Sequence, residues 1–225
     1  MKTDTLQFDA SNGATKAFVA EPENADAETP TALLIQEWWG VNDHIRDIAK
    51  RFAAESFRAI APDLYRGKLA KNPTEAGDLM KALAIEDGVD TIKNAVAKAR
   101  EIYGIKKKFG ILGFCMGGTF SLRAACDLTD EFGAACPFYG DIPPDEVLAK
   151  LKTPVIFFAG LKDKWINPEK VAELKEIALK HELPIETISY DADHAFFNDT
   201  RPEVYDPPAA EDAWHRVLEF FRSNL

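Results

Sequence analysis

Short apolar runs alternate along the chain with longer segments of helical periodicity. The runs are rich in Ala, Val, Ile, Leu and Phe, as expected for strands buried on both faces of a parallel sheet. The predicted strands are residues 31–36, 57–62, the run that ends at Phe114, 133–140, 153–160 and 184–190. The predicted helices are residues 42–55, 73–84, 87–103, the segment after Cys115, 168–181 and 209–221.

The N-terminal segment has a different pattern. Leu6 and Phe8 alternate with polar residues, and turn-forming residues at 11–13 separate them from a second extended run, so residues 6–21 are predicted to form a β-hairpin. The later alternation of strands and helices predicts an α/β fold with a mostly parallel sheet and helices on both faces. We find no repeat or linker and expect one domain over residues 1–225, with 201–208 as an ordered surface loop.

Composition and charge exclude several classes of protein. The net charge of −10 argues against a nucleic-acid partner, and no apolar run is long enough for a membrane span. The N-terminus lacks the apolar region of a signal peptide, so we expect a cytoplasmic location. The 3 cysteines have no CxxC spacing, which argues against a disulfide framework or a zinc site. We therefore expect no metal.

A glycine-rich turn follows the strand that ends at Phe114. Residues 113–118 have the pattern Gly-x-Cys-x-Gly-Gly and lead directly into a helical segment. This is the form of a nucleophile elbow, here with Cys115 as the nucleophile. The glycines remove side chains that would collide in the tight turn, and the helix N-terminus favours a thiolate. The alternative is a turn around a buried, unreactive cysteine.

Glu37, Asp163 and His194 also follow predicted strands, at the edge where open α/β sheets bind ligands. Cys115, Asp163 and His194 occur in the chain order of α/β-hydrolase triads. Imidazole can accept a thiol proton near neutral pH, and an acid on its other nitrogen fixes the tautomer. The sequence therefore predicts that these three residues act together.

Each assignment has an alternative. Asp163 could be an exposed loop carboxylate, and His194 could be a core histidine beneath aromatic residues. Asp191 and Asp193 are rival acids, although their closeness to His194 suits local turn hydrogen bonds better. For the remaining histidines we expect surface or capping roles, and for the remaining cysteines packing roles. These residues are His44, His181, His215, Cys126 and Cys136.

Glu37 places a carboxylate in a loop that, in other proteins of this fold, mainly supplies a backbone N–H group to the oxyanion hole. One interpretation is a salt bridge to Arg46 or Lys68. The other is a carboxylate close to Cys115 that controls protonation of the thiol.

Four motifs together resemble the dienelactone hydrolase (carboxymethylenebutenolidase) family. They are Gln36-Glu37-Trp38-Trp39-Gly40, Ala61-Pro62-Asp63-Leu64-Tyr65, Gly113-Phe114-Cys115-Met116-Gly117-Gly118 and His194-Ala195-Phe196. The resemblance implies an α/β-hydrolase fold, a Cys115–His194–Asp163 triad and an acyl-enzyme intermediate. It also implies an oxyanion hole formed by the backbone N–H groups of Trp38 and Met116, and a resting thiol held by Glu37.

The sequence departs from the family at its substrate-binding arginines. Residues 72–80 contain no arginine, Asn198 stands four residues after His194, and Arg201 comes three residues later. An uncharged group does not easily replace a bidentate carboxylate clamp. Specificity for a dienelactone is therefore not predicted, although ester or lactone hydrolysis is. The candidate substrate pocket comprises Trp39, Tyr65, Tyr139, Phe196, Phe197 and Arg201, with Trp38 and Trp165 as further aromatic candidates.

We expect a hydrolase that cleaves a small ester, lactone or thioester through Cys115, with no cofactor, as a monomer or weak homo-oligomer. The alternative is a hydrolase-fold protein that binds small molecules and has little or no activity. A thiol oxidoreductase is a third class, but no second cysteine stands beside Cys115.

Overall fold

The computed structural model describes residues 1–225, which form eight strands and seven helices. The strands are β1 (Lys2–Ala10), β2 (Gly13–Glu21), β3 (Thr31–Ile35), β4 (Arg58–Pro62), β5 (Phe109–Phe114), β6 (Phe132–Phe138), β7 (Val155–Gly160) and β8 (Ile185–Tyr190). The helices are α1 (Asp43–Ala54), α2 (Pro73–Ala82), α3 (Ile85–Tyr103), α4 (Met116–Asp127), α5 (Asp145–Leu148), α6 (Pro168–Lys180) and α7 (Pro207–Asn224).

All eight strands belong to one sheet in the order β1-β2-β4-β3-β5-β6-β7-β8. The hairpin β1–β2 is antiparallel and joins β4 antiparallel, whereas every pair from β4 to β8 is parallel. The predicted α/β-hydrolase fold, with a mostly parallel sheet, is confirmed. Because parallel strands end at the same edge, the residues after β3, β5, β6, β7 and β8 meet there.

The sheet separates two hydrophobic cores. One core holds the apolar faces of α3, α4 and α6, and the other holds those of α1 and α7. The central strands β3, β4, β5 and β7 are buried along their whole length, which explains why their sequences are continuous apolar runs.

Local signals define most helix ends. Asn42, Asn72 and Asn167 each accept a backbone hydrogen bond as the N-cap of α1, α2 and α6. Gly104 ends α3 in the left-handed conformation that glycine adopts at little cost. The sequence did not predict α5, because four residues are too few to show helical periodicity.

None of the helices is both long enough and apolar enough to cross a membrane.

Candidate active site

Cys115 lies at a sharp turn between β5 and α4, with φ 54° and ψ −117°. Three glycines make this turn possible, because a Cβ atom at any of them would collide with backbone. It would lie 2.2 Å from the Gly117 carbonyl oxygen at Gly113, 2.3 Å from the Ile35 oxygen at Gly117, and 2.4 Å from the Phe138 oxygen at Gly118. The turn has the geometry of the predicted elbow, and the same contacts seat the start of α4 against the end of β3.

The three thiols differ in exposure. Cys115 is partly exposed, whereas Cys126 and Cys136 are buried in the cores on either side of the sheet, as predicted for packing residues. Burial raises the pKa of Cys126 to about 12 and raises that of Cys136 well above its ordinary value. Cys115 is therefore the thiol that a reagent or substrate can reach.

Asp163 and His194 form a close pair at the ends of β7 and β8. The Nδ1 atom of His194 lies 2.6 Å from Asp163 Oδ2. The other carboxylate oxygen accepts hydrogen bonds from the backbone N–H groups of Trp165 and Ile166, at 2.8 and 3.0 Å. With the Asp163 side chain fully buried, these bonds fix the imidazole so that Nε2 is left for another partner.

Electrostatics favour the charged form of this pair. Burial lowers the pKa of His194, but hydrogen bonds with Asp163 and Cys115, together with their negative charges, raise it overall to about 10. Burial raises the pKa of Asp163, but the hydrogen bond and positive charge of His194 outweigh it and lower that pKa. His194 thus lies 2.6 Å from Asp163 and feels the charge of Cys115. A catalytic triad of these three residues stays a prediction.

Glu37 is buried in the loop after β3, where its Oε2 atom accepts a hydrogen bond of 2.8 Å from the Asn198 side chain. Burial raises the pKa of Glu37 and outweighs the lowering by Asn198, His194 and Arg201. The interpretation as a salt bridge to Arg46 or Lys68 is wrong, because the carboxylate turns inward to an uncharged amide. The only sequence signal for this amide contact is the position of Asn198, four residues after His194.

The remaining histidines lie away from Cys115. His181 caps the end of α6 and pairs with Asp145, and His215 is exposed on α7. The expected surface or capping role of His44 is wrong: it is buried on the inner side of α1, with Nδ1 3.2 Å from Asp199 Oδ1. The loop after β8 covers this part of α1, a contact between distant residues that periodicity does not reveal.

The two amides expected at the oxyanion hole lie on neighbouring segments. Met116 is the first residue of α4, so its N–H group has no acceptor within the helix. Trp38 belongs to the loop after β3, and the start of α4 packs against the carbonyl groups of Ile35 and Gln36 in that same segment. An oxyanion between these two amides remains a prediction.

The aromatic residues near the site fall into two groups, one in the surrounding loops and one buried beneath them. Trp38 and Trp39 form an edge-on pair in the loop after β3, and the Tyr65 hydroxyl lies 3.1 Å from Met116 Sδ. Trp165 is 70% exposed and lies edge-on to His194, with ring centroids 5.0 Å apart. Phe196 and Phe197 are buried, and both pack into the aromatic cluster around Phe114 and Phe138. Their place in a substrate pocket stays a prediction.

Comparison with known proteins shows the family of the chain. The dienelactone hydrolase family pattern matches residues 15–225. The chain belongs to the dienelactone hydrolase family. Within full-length alignments, it is 35% identical to "Protein usf" of Aquifex pyrophilus and 33% identical to the "Putative carboxymethylenebutenolidase" of Aquifex aeolicus, with 98% of each chain covered. Dienelactone hydrolase relatives of this kind indicate a hydrolase that acts on lactone or ester bonds.

A solved dienelactone hydrolase structure agrees in fold over the whole chain. The crystal structure described as "Putative Dienelactone Hydrolase from Klebsiella pneumoniae" superposes with a TM-score of 0.89 and 27% sequence identity, covering 99% of both chains. A relative from Bradyrhizobium, 29% identical over 100% of this chain and 98% of its own, is named "Probable 2-oxo-3-(5-oxofuran-2-ylidene)propanoate lactonase".

The arginine that acts on Glu37 is already paired with a carboxylate. Arg201 is the arginine whose charge acts on Glu37, but its Nε and one terminal nitrogen both bind Glu203 Oε1 at 2.8 Å. Asn198, the residue in direct contact with Glu37, is uncharged. The expected substrate contact of Arg201 therefore requires this surface ion pair to open.

Proposed function

We propose that the protein hydrolyses small esters or lactones through nucleophilic attack by the Cys115 thiolate, with His194 as general base and acid and Asp163 as its orienting partner. The observation that carries this proposal is the partly exposed Cys115 at a positive φ angle, whose charge acts on an imidazole with its Nδ1 atom 2.6 Å from a buried carboxylate. A thiol, a base and an orienting acid in this arrangement form an activated nucleophile.

In the proposed acylation step, His194 Nε2 takes the proton from the Cys115 thiol. The thiolate attacks the carbonyl carbon, so that a C–S bond forms and the carbonyl π electrons move onto oxygen. The N–H groups of Trp38 and Met116 stabilise this oxyanion. When the carbonyl re-forms, the bond to the leaving oxygen breaks, and that oxygen takes the proton from His194.

Deacylation repeats these steps with water. His194 accepts a proton from water as the hydroxide adds to the thioester, and collapse of the second oxyanion breaks the C–S bond. The thiolate regains its proton from His194, and the acid product leaves. For a lactone the leaving oxygen stays attached to the product through the opened ring.

In the resting protein, we propose that Glu37 keeps the Cys115 thiol protonated. The carboxylate is buried and close enough to His194 to feel its charge. A carboxylate that stays ionised beside the thiol discourages a second negative charge on sulfur. The thiol would then lose its proton to His194 only when substrate binds.

The surroundings support a substrate with an apolar or aromatic part. Trp165 is largely exposed beside His194, and Trp39 is partly exposed in the loop that carries the Trp38 amide. Arg201, the arginine whose charge acts on Glu37, is already paired with Glu203. An uncharged aryl ester or enol lactone is therefore the first substrate class to test.

The test compares Cys115→Ala with the wild type on 4-nitrophenyl acetate and on an uncharged enol lactone. We expect kcat/KM to fall by about 1,000-fold or more, because loss of a covalent nucleophile removes the whole acyl-enzyme route. Cys126→Ala is the matched control, since it removes a buried thiol from the same region and should leave kcat/KM unchanged. Unchanged turnover in Cys115→Ala would contradict the mechanism.

Alkylation with iodoacetamide separates this proposal from a binding protein without activity. Cys115 should be alkylated far faster than Cys126 or Cys136 at neutral pH. Slow and equal alkylation of all three would favour the binding protein.

A further inference from the structure

Trp165 combines high exposure with a fixed position. It lies between β7 and α6 and is 70% exposed, more than any other aromatic residue of the chain. Its backbone N–H group donates to Asp163 Oδ1 at 2.8 Å, the next residue, Ile166, is buried in the core, and Asn167 caps α6. The exposed ring therefore stands on a rigid segment, and it offers a large contact area at a small cost in conformational entropy.

The imidazole of His194 contacts two aromatic rings that differ in exposure. The centroid of the Tyr139 ring lies 5.0 Å from that of the imidazole, and the Trp165 ring stands edge-on to it at the same distance of 5.0 Å. Tyr139 is only 1% exposed and so belongs to the interior of the protein. A molecule that reaches His194 from solvent therefore meets the ring of Trp165 and not that of Tyr139.

The order of the strands separates the two oxygens of a bound ester. Cys115 follows β5, the loop that carries the Trp38 amide follows β3 on one side of it, and His194 follows β8 on the other side. In the proposed reaction the carbonyl oxygen turns toward the Trp38 amide, whereas the leaving oxygen takes its proton from His194. That transfer requires the leaving oxygen within about 3 Å of the imidazole. The group attached to the leaving oxygen thus lies beside the ring that packs on His194.

We propose that the exposed Trp165 ring binds the alcohol part of the ester, so that the protein prefers esters whose leaving group is aromatic. This inference rests on the proposed function, since it requires His194 to protonate the leaving oxygen. Trp165 determines specificity and moves no proton. An aryl group covers the exposed indole in an offset-stacked or edge-on arrangement, which aromatic pairs favour. The acyl part of the substrate lies on the other side of Cys115 and does not touch this ring.

The test compares two esters that carry their aromatic ring on opposite sides of the scissile bond. In 4-nitrophenyl acetate the ring belongs to the leaving group, and in trifluoroethyl phenylacetate it belongs to the acyl group. Trp165→Ala should lower kcat/KM by about 10-fold for the first ester, the size of one aromatic contact, and leave it unchanged for the second. Trp165→Phe, which retains a ring, should restore most of the loss.

The rate of deacylation separates a contact with the leaving group from a structural effect on His194. After acylation by 4-nitrophenyl acetate the alcohol has left, so Trp165→Ala should hydrolyse the acetyl-enzyme at the wild-type rate. Displacement of the imidazole would slow this step as well, because His194 acts in both steps. Leu179→Ala is the matched control, since Leu179 is an 82% exposed apolar residue of α6. This variant should leave both esters unaffected.

Two kinetic outcomes would overturn the proposal. An equal loss for both esters, with slower deacylation, would mean that Trp165 only holds His194 in place. A loss confined to trifluoroethyl phenylacetate would mean that the ring binds the acyl part.

A second measurement needs no hydrolysis. Phenol, the simplest aromatic alcohol, is titrated into Cys115→Ala while the indole N–H signal of Trp165 is followed by NMR, with Trp165→Phe identifying that signal among the 4 tryptophans. The signal should shift on addition of phenol, and an unchanged signal would contradict the contact. If Cys115→Ala retained hydrolysis, the proposed function would fail, while the titration would still decide whether Trp165 binds an aromatic alcohol.

Discussion

At the scale of single residues, Glu37 is the member of the site that departs most from ordinary protein chemistry. Acidic side chains are seldom fully buried unless they are paired with a cation. Glu37 is 2% exposed, and its hydrogen-bond partner is the neutral amide of Asn198. The folded protein therefore holds a group that prefers to be neutral, at a position where the proposed chemistry requires a charge. Function and stability make opposite demands on this residue.

The pH dependence of stability follows from this conflict. Because the pKa of Glu37 is raised above its ordinary value of 4.5, the folded state binds the proton more tightly than the unfolded chain does. The associated stability is present below pH 4.5 and is lost as the pH rises through the folded-state pKa. Glu37→Gln, which cannot ionise, should therefore melt higher than the wild type at pH 8, by about 2–4 °C per kcal/mol regained.

Circular dichroism melts at pH 4, 6 and 8 test this expectation. The difference in Tm between Glu37→Gln and the wild type should grow with pH. Glu173→Gln on the exposed side of α6 is the control, since Glu173 forms no ion pair. A Tm difference that stays constant across this pH range would show that Glu37 ionisation is not linked to folding.

At the scale of elements, the elbow depends on the close approach of three backbone segments. The first turn of α4 lies against the end of β3 on one side and the end of β6 on the other. Glycines at 113, 117 and 118 permit this approach, and it brings the Met116 amide beside the loop that carries Trp38. The geometry around Cys115 thus requires residues without a Cβ atom at these three positions.

Gly117→Ala should accordingly destabilise the protein. The added Cβ atom would lie 2.3 Å from the Ile35 oxygen and 2.6 Å from the Gln36 oxygen, and backbone atoms cannot move aside as a flexible side chain could. We expect a loss of about 3 kcal/mol or more, measured by urea unfolding. Gly77→Ala is the matched control, because a Cβ atom there meets nothing within 4 Å in α2.

The control should be stabilising by about 0.5–1 kcal/mol, since alanine favours a helix interior over glycine. If Gly117→Ala had the same urea midpoint of unfolding as the wild type, the close approach of β3 and α4 would not be a constraint on the fold.

Most elements could be predicted from the sequence because their signals are local. The buried strands are continuous apolar runs, and Asn42 and Gly104 mark helix ends by their own side-chain and backbone preferences. The contacts of His44 and Asn198 could not be predicted, because they are not local. Their partners, Asp199 and Glu37, lie 155 and 161 residues away along the chain, and only the folded sheet brings them together. For Phe196, the sequence does not separate a core position from a pocket wall, because both give the same apolar pattern.

At the scale of the whole molecule, α7 packs the C-terminal end of the chain onto the centre of the sheet. Its Phe221 ring packs on Phe52 and Phe57 from the segment around α1, with ring centroids 6.2 and 6.4 Å apart. A Cβ atom at Gly110 of β5 would lie 2.9 Å from the Phe221 ring, so this side chain rests directly on the sheet. The C-terminal part of this helix therefore lies over β5 near the amino end of the strand, opposite the edge that carries the candidate site.

Phe221→Ala should therefore lower the stability of the protein without changing its activity. Removing a fully buried phenylalanine leaves a cavity and should cost about 3–5 kcal/mol of unfolding free energy, lowering Tm by about 10 °C. Gly110 and Cys115 are five residues apart along β5, a distance of about 16 Å, so kcat/KM per folded molecule at 15 °C should not change. The neighbouring Phe220, which is only partly buried, provides the control: Phe220→Ala should cost less than half as much. A loss of kcat/KM in Phe221→Ala larger than the unfolded fraction explains would mean that packing at the far edge of the sheet positions Cys115. The expectation that Phe221 contributes to stability alone would then be wrong.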